Sequence, residues 1–163
     1  MEWLPHREAM AWFLAEVWPA VHAADPRIQC HLAGKGLERI IPGLDQPGIV
    51  VHTGPIDARE FARLRPILIA PSFSGSGIMV KVVEGMTMGK AIVTTPNGAR
   101  GLSSEHGRNM MVSANPNDWV EWIVALANDR AARKRIGKGA RSTALAMHDP
   151  AVAAKIFLDG IRP

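Results

Sequence analysis

The chain has 163 residues, of which 47% are hydrophobic and 21% are charged, and these proportions exclude a wholly disordered chain. No apolar run approaches the roughly 20 residues that a membrane-spanning helix needs. The formal net charge of +4 favours anionic partners, while the single cysteine, Cys30, excludes an intramolecular disulfide and is typical of a reducing cytoplasm.

The N-terminal part begins with a helical pattern. Apolar residues recur at helical spacing over residues 6–23, and Pro19 is expected to kink or shorten the last turn. A short strand over residues 28–33 follows, and then a short helix over residues 37–41. Because an α/β domain usually opens on a strand, this order predicts that a preceding segment is absent from the chain.

Short apolar runs then alternate with helical segments. The predicted strands cover residues 48–52, 66–71, 91–95 and 109–112, and the predicted helices cover residues 58–64 and 78–88. From Asn115 the pattern is helical, with further helices ending near residues 128, 147 and 159. Asp57 is the expected cap of the helix over residues 58–64, and Asp129 is the expected cap of the helix that ends near residue 147. This alternation predicts one Rossmann-like α/β domain over residues 1–163, a doubly wound parallel sheet with helices on both faces.

A glycine-rich loop lies between a buried strand and a helix. Gly75 and Gly77 allow close approach of the backbone to a ligand, and the amides of Gly77, Ile78 and Met79 are expected at the first turn of the helix. Such amides bind phosphate well. The alternative is an ordinary turn between a strand and a helix, because glycine-rich turns are common there.

Lys81 and Glu84 are three apart on the same predicted helix and can share one face. A cation and a carboxylate in one cleft suit a ligand with phosphate and vicinal hydroxyls, such as a nucleotide. The alternative for this pair is a solvated ion pair.

The residues 34–36, Gly-Lys-Gly, resemble half of a dinucleotide fingerprint. Arg39 stands where the third glycine is needed, so a tight turn is favoured over an NAD site.

The segment Gly75-Ser76-Gly77, Lys81 and residues 84–95 together resemble the donor-binding motif of the group 1, or family 4, glycosyltransferases. The similarity extends over nearly the whole chain and is greatest to a bacterial exopolysaccharide branch. The resemblance implies a GT-B fold, in which two Rossmann-like halves enclose the active site, and it implies that this chain is the C-terminal, donor-binding half.

The resemblance also implies residue roles. Glu84 matches the glutamate that holds the ribose hydroxyls of a nucleotide sugar, and Lys81 matches a basic position near the diphosphate. The loop and helix start, whose amides meet the phosphates and the sugar, match Gly75, Ser76, Gly77, Ile78 and Met79. Many relatives carry a second glutamate where this chain has Ser76 and an arginine where it has Met79.

As a whole, the resemblance implies a retaining enzyme that transfers a hexose from a nucleoside-diphosphate sugar to a glycan or lipid-linked acceptor. No metal or other cofactor is expected, and the partners are a nucleotide sugar and an N-terminal acceptor-binding domain that this chain lacks, not nucleic acid. The chain alone is expected to be inactive. Two alternatives stay open: a nucleotide-sugar epimerase of the same fold, and a non-catalytic module that binds nucleotides or another chain.

Lesser features have simpler interpretations. Residues 130–141 carry six cations and no acid, so this helix could contact an anionic membrane surface from the cytoplasm. A solvated helix face is favoured instead, because Gly137 and Gly139 are expected to weaken the helix. Trp119 and Trp122 are expected in the core. His31 and His52 are expected to lack carboxylate or histidine neighbours at ligand spacing, so neither is assigned to a metal.

Overall fold

The computed structural model describes residues 4–34, 36–37, 41–53 and 57–147. Its five strands are β1 (Cys30–Ala33), β2 (Ile49–His52), β3 (Ile67–Ala70), β4 (Ala91–Thr94) and β5 (Met111–Val112). Its helices are α1 (Leu4–Trp12), α2 (Trp18–Ala24), α3 (Ala58–Arg63), α4 (Val80–Thr87), α5 (Pro116–Asn128) and α6 (Arg130–Met147), and a π-helical segment, Phe13–Val17, joins α1 to α2. Most of the helix predicted over residues 37–41 and the last predicted helix lie outside the described residues.

The strands pair in parallel and helices cover both faces, which confirms the predicted α/β class. They do not form one continuous sheet, however. Strands β1 and β2 pair with each other, and β3, β4 and β5 form a second sheet in that order. Within the described residues, no helix is both long and apolar enough to cross a membrane.

Side-chain caps begin three of the helices. The Asp57, Asn115 and Asp129 side chains accept hydrogen bonds from amides two or three residues further on, at 2.8 to 3.1 Å. These bonds satisfy amides that the first turn of a helix leaves without a partner. The predicted capping roles of Asp57 and Asp129 are therefore confirmed.

Pro19 does not shorten the helical segment, which was one of the two effects predicted for it. It lies at the start of α2, and the amide of the preceding residue, Trp18, donates to the Phe13 carbonyl five residues back. Proline has no N–H to donate and its ring collides with a carbonyl one turn earlier. A π-helical turn widens the helix just before the proline. The helical path continues to Ala24 and does not end near Pro19.

The core has two layers, one on each face of the larger sheet. Alternate residues of β3 and β4 face opposite ways, as the period of a strand requires. One layer packs Ile67, Ile69 and Val93 against α1, the π segment, α2 and α5, and the other packs Leu68 and Ile92 against α4 and α6. Trp119 is fully buried in the first layer, as predicted, and its indole N–H donates to the Ser113 carbonyl at 2.8 Å.

Gly137 and Gly139 have a packing role in α6. A Cβ on Gly137 would overlap the carbonyl oxygen of Gly89, and a Cβ on Gly139 would overlap the carbonyl oxygen of Arg108. The glycines therefore allow α6 to approach the backbone of two loops, a role that the expected weakening of the helix did not suggest.

We expect Gly137→Ala to lower the free energy of unfolding by about 1–3 kcal/mol, the usual cost of overpacking a core. Alanine gains about 1 kcal/mol in helix propensity over glycine, so a loss despite that gain would reveal the backbone contact. Urea unfolding followed by circular dichroism measures the change. Lys138→Ala, at the exposed neighbouring position, is the control; an unchanged or more stable Gly137→Ala variant would contradict the packing role.

Candidate functional site

The glycine-rich loop is exposed where β3 ends. Residues 73–78 are all exposed, and Gly75 and Gly77 have φ values of 110° and 95°. This is a backbone region that side-chain-bearing residues rarely adopt. A Cβ on Gly77 would meet nothing within 4 Å, so the backbone conformation, not lack of space, requires glycine at that position.

The start of α4 leaves backbone donors free. Met79 precedes the helix without a side-chain cap, and no acidic residue lies in the first turn. The helix begins two residues later than predicted, so Gly77, Ile78 and Met79 come before its first turn and not within it. The amides of Val82 and Val83 donate to the Met79 carbonyl at 2.9 and 3.2 Å, whereas those of residues 77–81 have no hydrogen-bond partner among the described residues. Free amides and the positive end of the helix dipole together form a setting that binds anions.

Residues that were not predicted as site residues hold the base of the loop. The Thr95 hydroxyl donates to the Ser72 carbonyl and accepts from the Ser72 amide at 3.2 Å. The Asn97 side-chain amide donates to the Ser72 hydroxyl at 3.0 Å and to the Ser74 carbonyl at 3.2 Å. Ser72, Thr95 and Asn97 are not among the predicted site residues, although polar residues that follow buried strands are a signal that could have indicated them.

Lys81 and Glu84 line the same cavity, on one face of α4. The Lys81 side chain is half-buried, and this burial lowers the pKa of its ammonium group. Glu84 is exposed, and the two side chains do not form an ion pair. The predicted site thus has two parts, because the loop residues 75–79 lie outside the cavity that Lys81 and Glu84 line.

This cavity has a volume of about 960 Å³ and lies between β1 and β3. Cys30 lines it from β1, and burial raises the pKa of the thiol to about 12, which makes this cysteine a poor nucleophile at neutral pH. Within the part of the chain that the structure describes, no group of three or more His, Cys, Asp or Glu residues is arranged to hold a metal ion.

Two histidines meet at the side of the cavity. His31 Nδ1 lies 3.1 Å from His52 Nε2 and 3.3 Å from the Arg65 guanidinium. The expectation that neither histidine has a histidine neighbour was wrong, because the pairing of β1 with β2 brings them together. Burial, followed by the charges of Arg65 and His52, lowers the pKa of His31, and since arginine only donates, His31 Nδ1 accepts.

A family profile described as "Glycosyl transferases group 1" matches residues 2–129, which is most of the chain. The chain belongs to the group 1 glycosyltransferases. A protein of Klebsiella pneumoniae described as an uncharacterized 44.6 kDa protein in the cps region is 24% identical to this glycosyltransferase chain over 144 residues. The match covers 83% of the chain and 37% of the Klebsiella protein.

Solved structures share the fold of this glycosyltransferase chain. Anabaena Alr3699/HepE, whose crystal structure is in complex with UDP, superposes with a TM-score of 0.76 at 17% identity, covering 96% of this chain and 45% of that protein. The C-terminal domain of LpcC, a group 1 family protein of Francisella tularensis, superposes with a TM-score of 0.56 at 18% identity, covering 70% and 59%. The chain therefore spans less than half the length of the Klebsiella and Anabaena proteins.

We expect Asn97→Ala to release the base of the glycine-rich loop, because it removes two hydrogen bonds to residues 72–74. The loss should amount to about 1–3 kcal/mol of stability and to faster amide hydrogen exchange at Ser72, whose amide donates to the Thr95 hydroxyl at 3.2 Å. Asn117→Ala is the matched control, since this exposed asparagine lies on α5. Unchanged stability and unchanged exchange at Ser72 in Asn97→Ala would show that Asn97 does not hold the base of the loop.

Proposed function

We propose that this chain is the donor-binding half of a retaining glycosyltransferase, and that the whole enzyme transfers a hexose from a nucleoside-diphosphate sugar to a glycan or lipid-linked acceptor. The observation that carries the proposal is the set of free amides of residues 77–81, which lead into the helix that bears Lys81 and Glu84. Family membership and the UDP bound to the Anabaena structure support it.

The chemistry follows from the charge of the leaving group. When the sugar departs, negative charge develops on the diphosphate, and preorganised amides at a helix start stabilise such charge. We propose that the amides of Gly77, Ile78 and Met79 meet the diphosphate and that the Lys81 ammonium group adds to them. Burial lowers the pKa of Lys81, so a bound anion would favour its charged form.

Glu84 has a separate proposed role, in holding the sugar ring of the nucleoside. Its exposed carboxylate can accept hydrogen bonds from the two vicinal hydroxyls of a ribose. We propose that donor binding needs no divalent cation, because the amides and Lys81 supply the positive charge.

The length of the relatives supports a two-part enzyme. The chain covers 37% of the Klebsiella protein and 45% of the Anabaena protein. We propose that the remaining polypeptide supplies the acceptor site and closes over the donor half, so that the chain alone binds the donor without transferring the sugar.

We expect Glu84→Gln to weaken UDP binding about 10- to 100-fold, since a hydrogen bond to a charged group contributes about 1.5–3 kcal/mol. Calorimetric titration of the chain with UDP measures the change, and EDTA should leave it unaltered. Titration with 2′-deoxy-UDP gives a second readout: the loss caused by Glu84→Gln should shrink, because one of the two hydroxyls is absent.

Glu121→Gln, on an exposed position of α5, is the charge-matched control and should bind UDP like the unaltered chain. No UDP binding at millimolar concentration, or equal binding by Glu84→Gln, would refute the donor-binding proposal.

We also propose that the basic helix α6 brings the enzyme to an anionic membrane surface. Of its six cations, Arg133 and Arg141 donate to backbone carbonyls, and the other four are exposed and make no such bond among the described residues: Arg130, Lys134, Arg135 and Lys138. Exposed basic helices bind anionic lipid at about 1 kcal/mol for each cation near the surface.

Sedimentation with vesicles tests this proposal about location. The chain should co-sediment with phosphatidylglycerol vesicles at low salt and should be released by high salt, and Lys134→Gln with Lys138→Gln should reduce the bound fraction. Equal recovery with phosphatidylcholine vesicles would show that α6 is only a solvated face.

A further inference from the structure

A second groove lies at the edge of the larger sheet opposite to the glycine-rich loop. Pro66 and Lys90, which directly precede β3 and β4, line it together with the start of α6, whereas the loop follows the carboxyl end of β3. Its volume is about 430 Å³, a size typical of pockets that bind small ligands. On one side the groove adjoins the cavity that Lys81 and Glu84 line, and Lys90 lines both.

This basic groove has charges of one sign. Five of the nine described residues that line it are cations, and none is acidic: Arg63, Lys90, Arg130, Arg133 and Lys134. Asp129 precedes the start of α6, but its carboxylate accepts hydrogen bonds from the amides of residues 131 and 132. A cleft lined by charges of one sign raises the local concentration of counter-ions. The basic groove therefore favours an anionic occupant.

Lys90 gives the basic groove a fixed donor. The residue is only 8% exposed, and its Nζ atom donates to the Arg63 carbonyl at 3.1 Å. Because an ammonium group has three N–H donors, two remain without a partner among the described residues. Arg63 lines the groove and not the larger cavity, so this bond directs the ammonium group toward the groove. Phosphate oxygens form strong, charge-assisted hydrogen bonds with such a group.

The apolar part of the lining indicates what else the anion carries. Leu64, Pro66 and Met88 line the same groove, and the Leu64 side chain is 66% exposed. An exposed apolar side chain among cations is typical of a surface that meets a membrane. The described lining residues include no carboxylate for sugar hydroxyls and no aromatic ring for a nucleobase. These properties favour a lipid phosphate over a phosphorylated sugar or a nucleic acid.

The basic groove is continuous with the exposed basic face of α6. Arg130 and Lys134 line the groove, and Lys138 follows one turn later on the same side of the helix. This is the face that we propose to meet an anionic membrane. A lipid layer on it would bring headgroups to the opening of the groove.

We propose that the basic groove binds the phosphomonoester headgroup of an anionic lipid, with the phosphate against Lys90 and the surrounding cations and with Leu64 against the acyl chains. A phosphomonoester has three acceptor oxygens and a charge of about −1.5 to −2 at pH 7. The phosphodiester of phosphatidylglycerol has a single charge, so five cations favour the monoester. The inference rests on the proposed membrane location and is separate from donor binding.

Sedimentation with two kinds of vesicle tests the proposal. Phosphatidylcholine vesicles contain either phosphatidic acid or phosphatidylglycerol, adjusted to equal surface charge, at about 0.15 M salt, where exposed charges are largely screened. The chain should bind the phosphatidic acid vesicles at least about tenfold more tightly, since each hydrogen bond to a charged group adds that much. Equal affinity for both would overturn only the basic groove as a headgroup site. Binding to neither, even at low salt, would overturn the membrane location as well.

Charge variants locate the binding site on the chain. Arg63→Gln and Lys90→Gln should each weaken binding to phosphatidic acid vesicles about tenfold, because each removes a cation that meets the phosphate. Arg7→Gln, at an exposed position on α1, is the charge-matched control and should bind as the unaltered chain does. Arg63 is exposed, so its variant keeps the test valid if the loss of the buried Lys90 unfolds the chain. Equal effects of Arg63→Gln and Arg7→Gln would overturn the proposal.

Leu64→Gln distinguishes a lipid from a free phosphate compound. It should weaken vesicle binding about tenfold, since leucine burial is lost, and leave calorimetric binding of glycerol phosphate unchanged. Leu145→Gln, an exposed leucine near the end of α6, is the control. Vesicle binding unaltered by Leu64→Gln would overturn the lipid assignment in favour of a soluble phosphate. UDP titration of Leu64→Gln and Arg63→Gln should match the unaltered chain, and weaker UDP binding would contradict the separation of the two sites.

Discussion

The bonds between the ends of β3 and β4 determine the position of the candidate site. The Thr94 hydroxyl donates to the Ala70 carbonyl at 2.7 Å, and the Thr95 hydroxyl does the same for Ser72. All four groups are buried, where an unpaired polar group is costly. Gly98 is part of this arrangement, since a Cβ there would overlap the Thr94 hydroxyl. These hydrogen bonds therefore fix the position of the backbone at which the loop with the free amides begins.

Local chemistry made much of the fold predictable. The five strands are short apolar runs bounded by Gly, Pro or Asn, and the caps Asp57 and Asp129 act through amides two or three residues away. What could not be predicted depends on partners far along the chain. The close contact of Gly137 with Gly89, the meeting of His31 and His52, and the division into two sheets arise only when elements pack together. The π turn before Pro19 similarly depends on how the helix continues.

The structure shows how the predicted site residues are arranged, which the sequence did not indicate. Lys81 and Glu84 share a cavity as their spacing indicated, while the loop residues 75–79 lie beside it. Ser76 and Met79 carry no charge, so under the proposed function the phosphates would be bound mainly by backbone amides. Donor binding would then depend more on the backbone conformation of the loop than on the identity of these two side chains.

The anchoring of the glycine-rich loop at only one end has an energetic consequence. Ser72 and Ser74 are held by Asn97, whereas Gly75 and Gly77 have no comparable tether among the described residues. Binding costs conformational entropy only for the segment that a ligand must immobilise. In the proposed complex with a nucleotide sugar, the entropic penalty of binding would fall on the few residues after Ser74, because the first half of the loop is already held by Asn97.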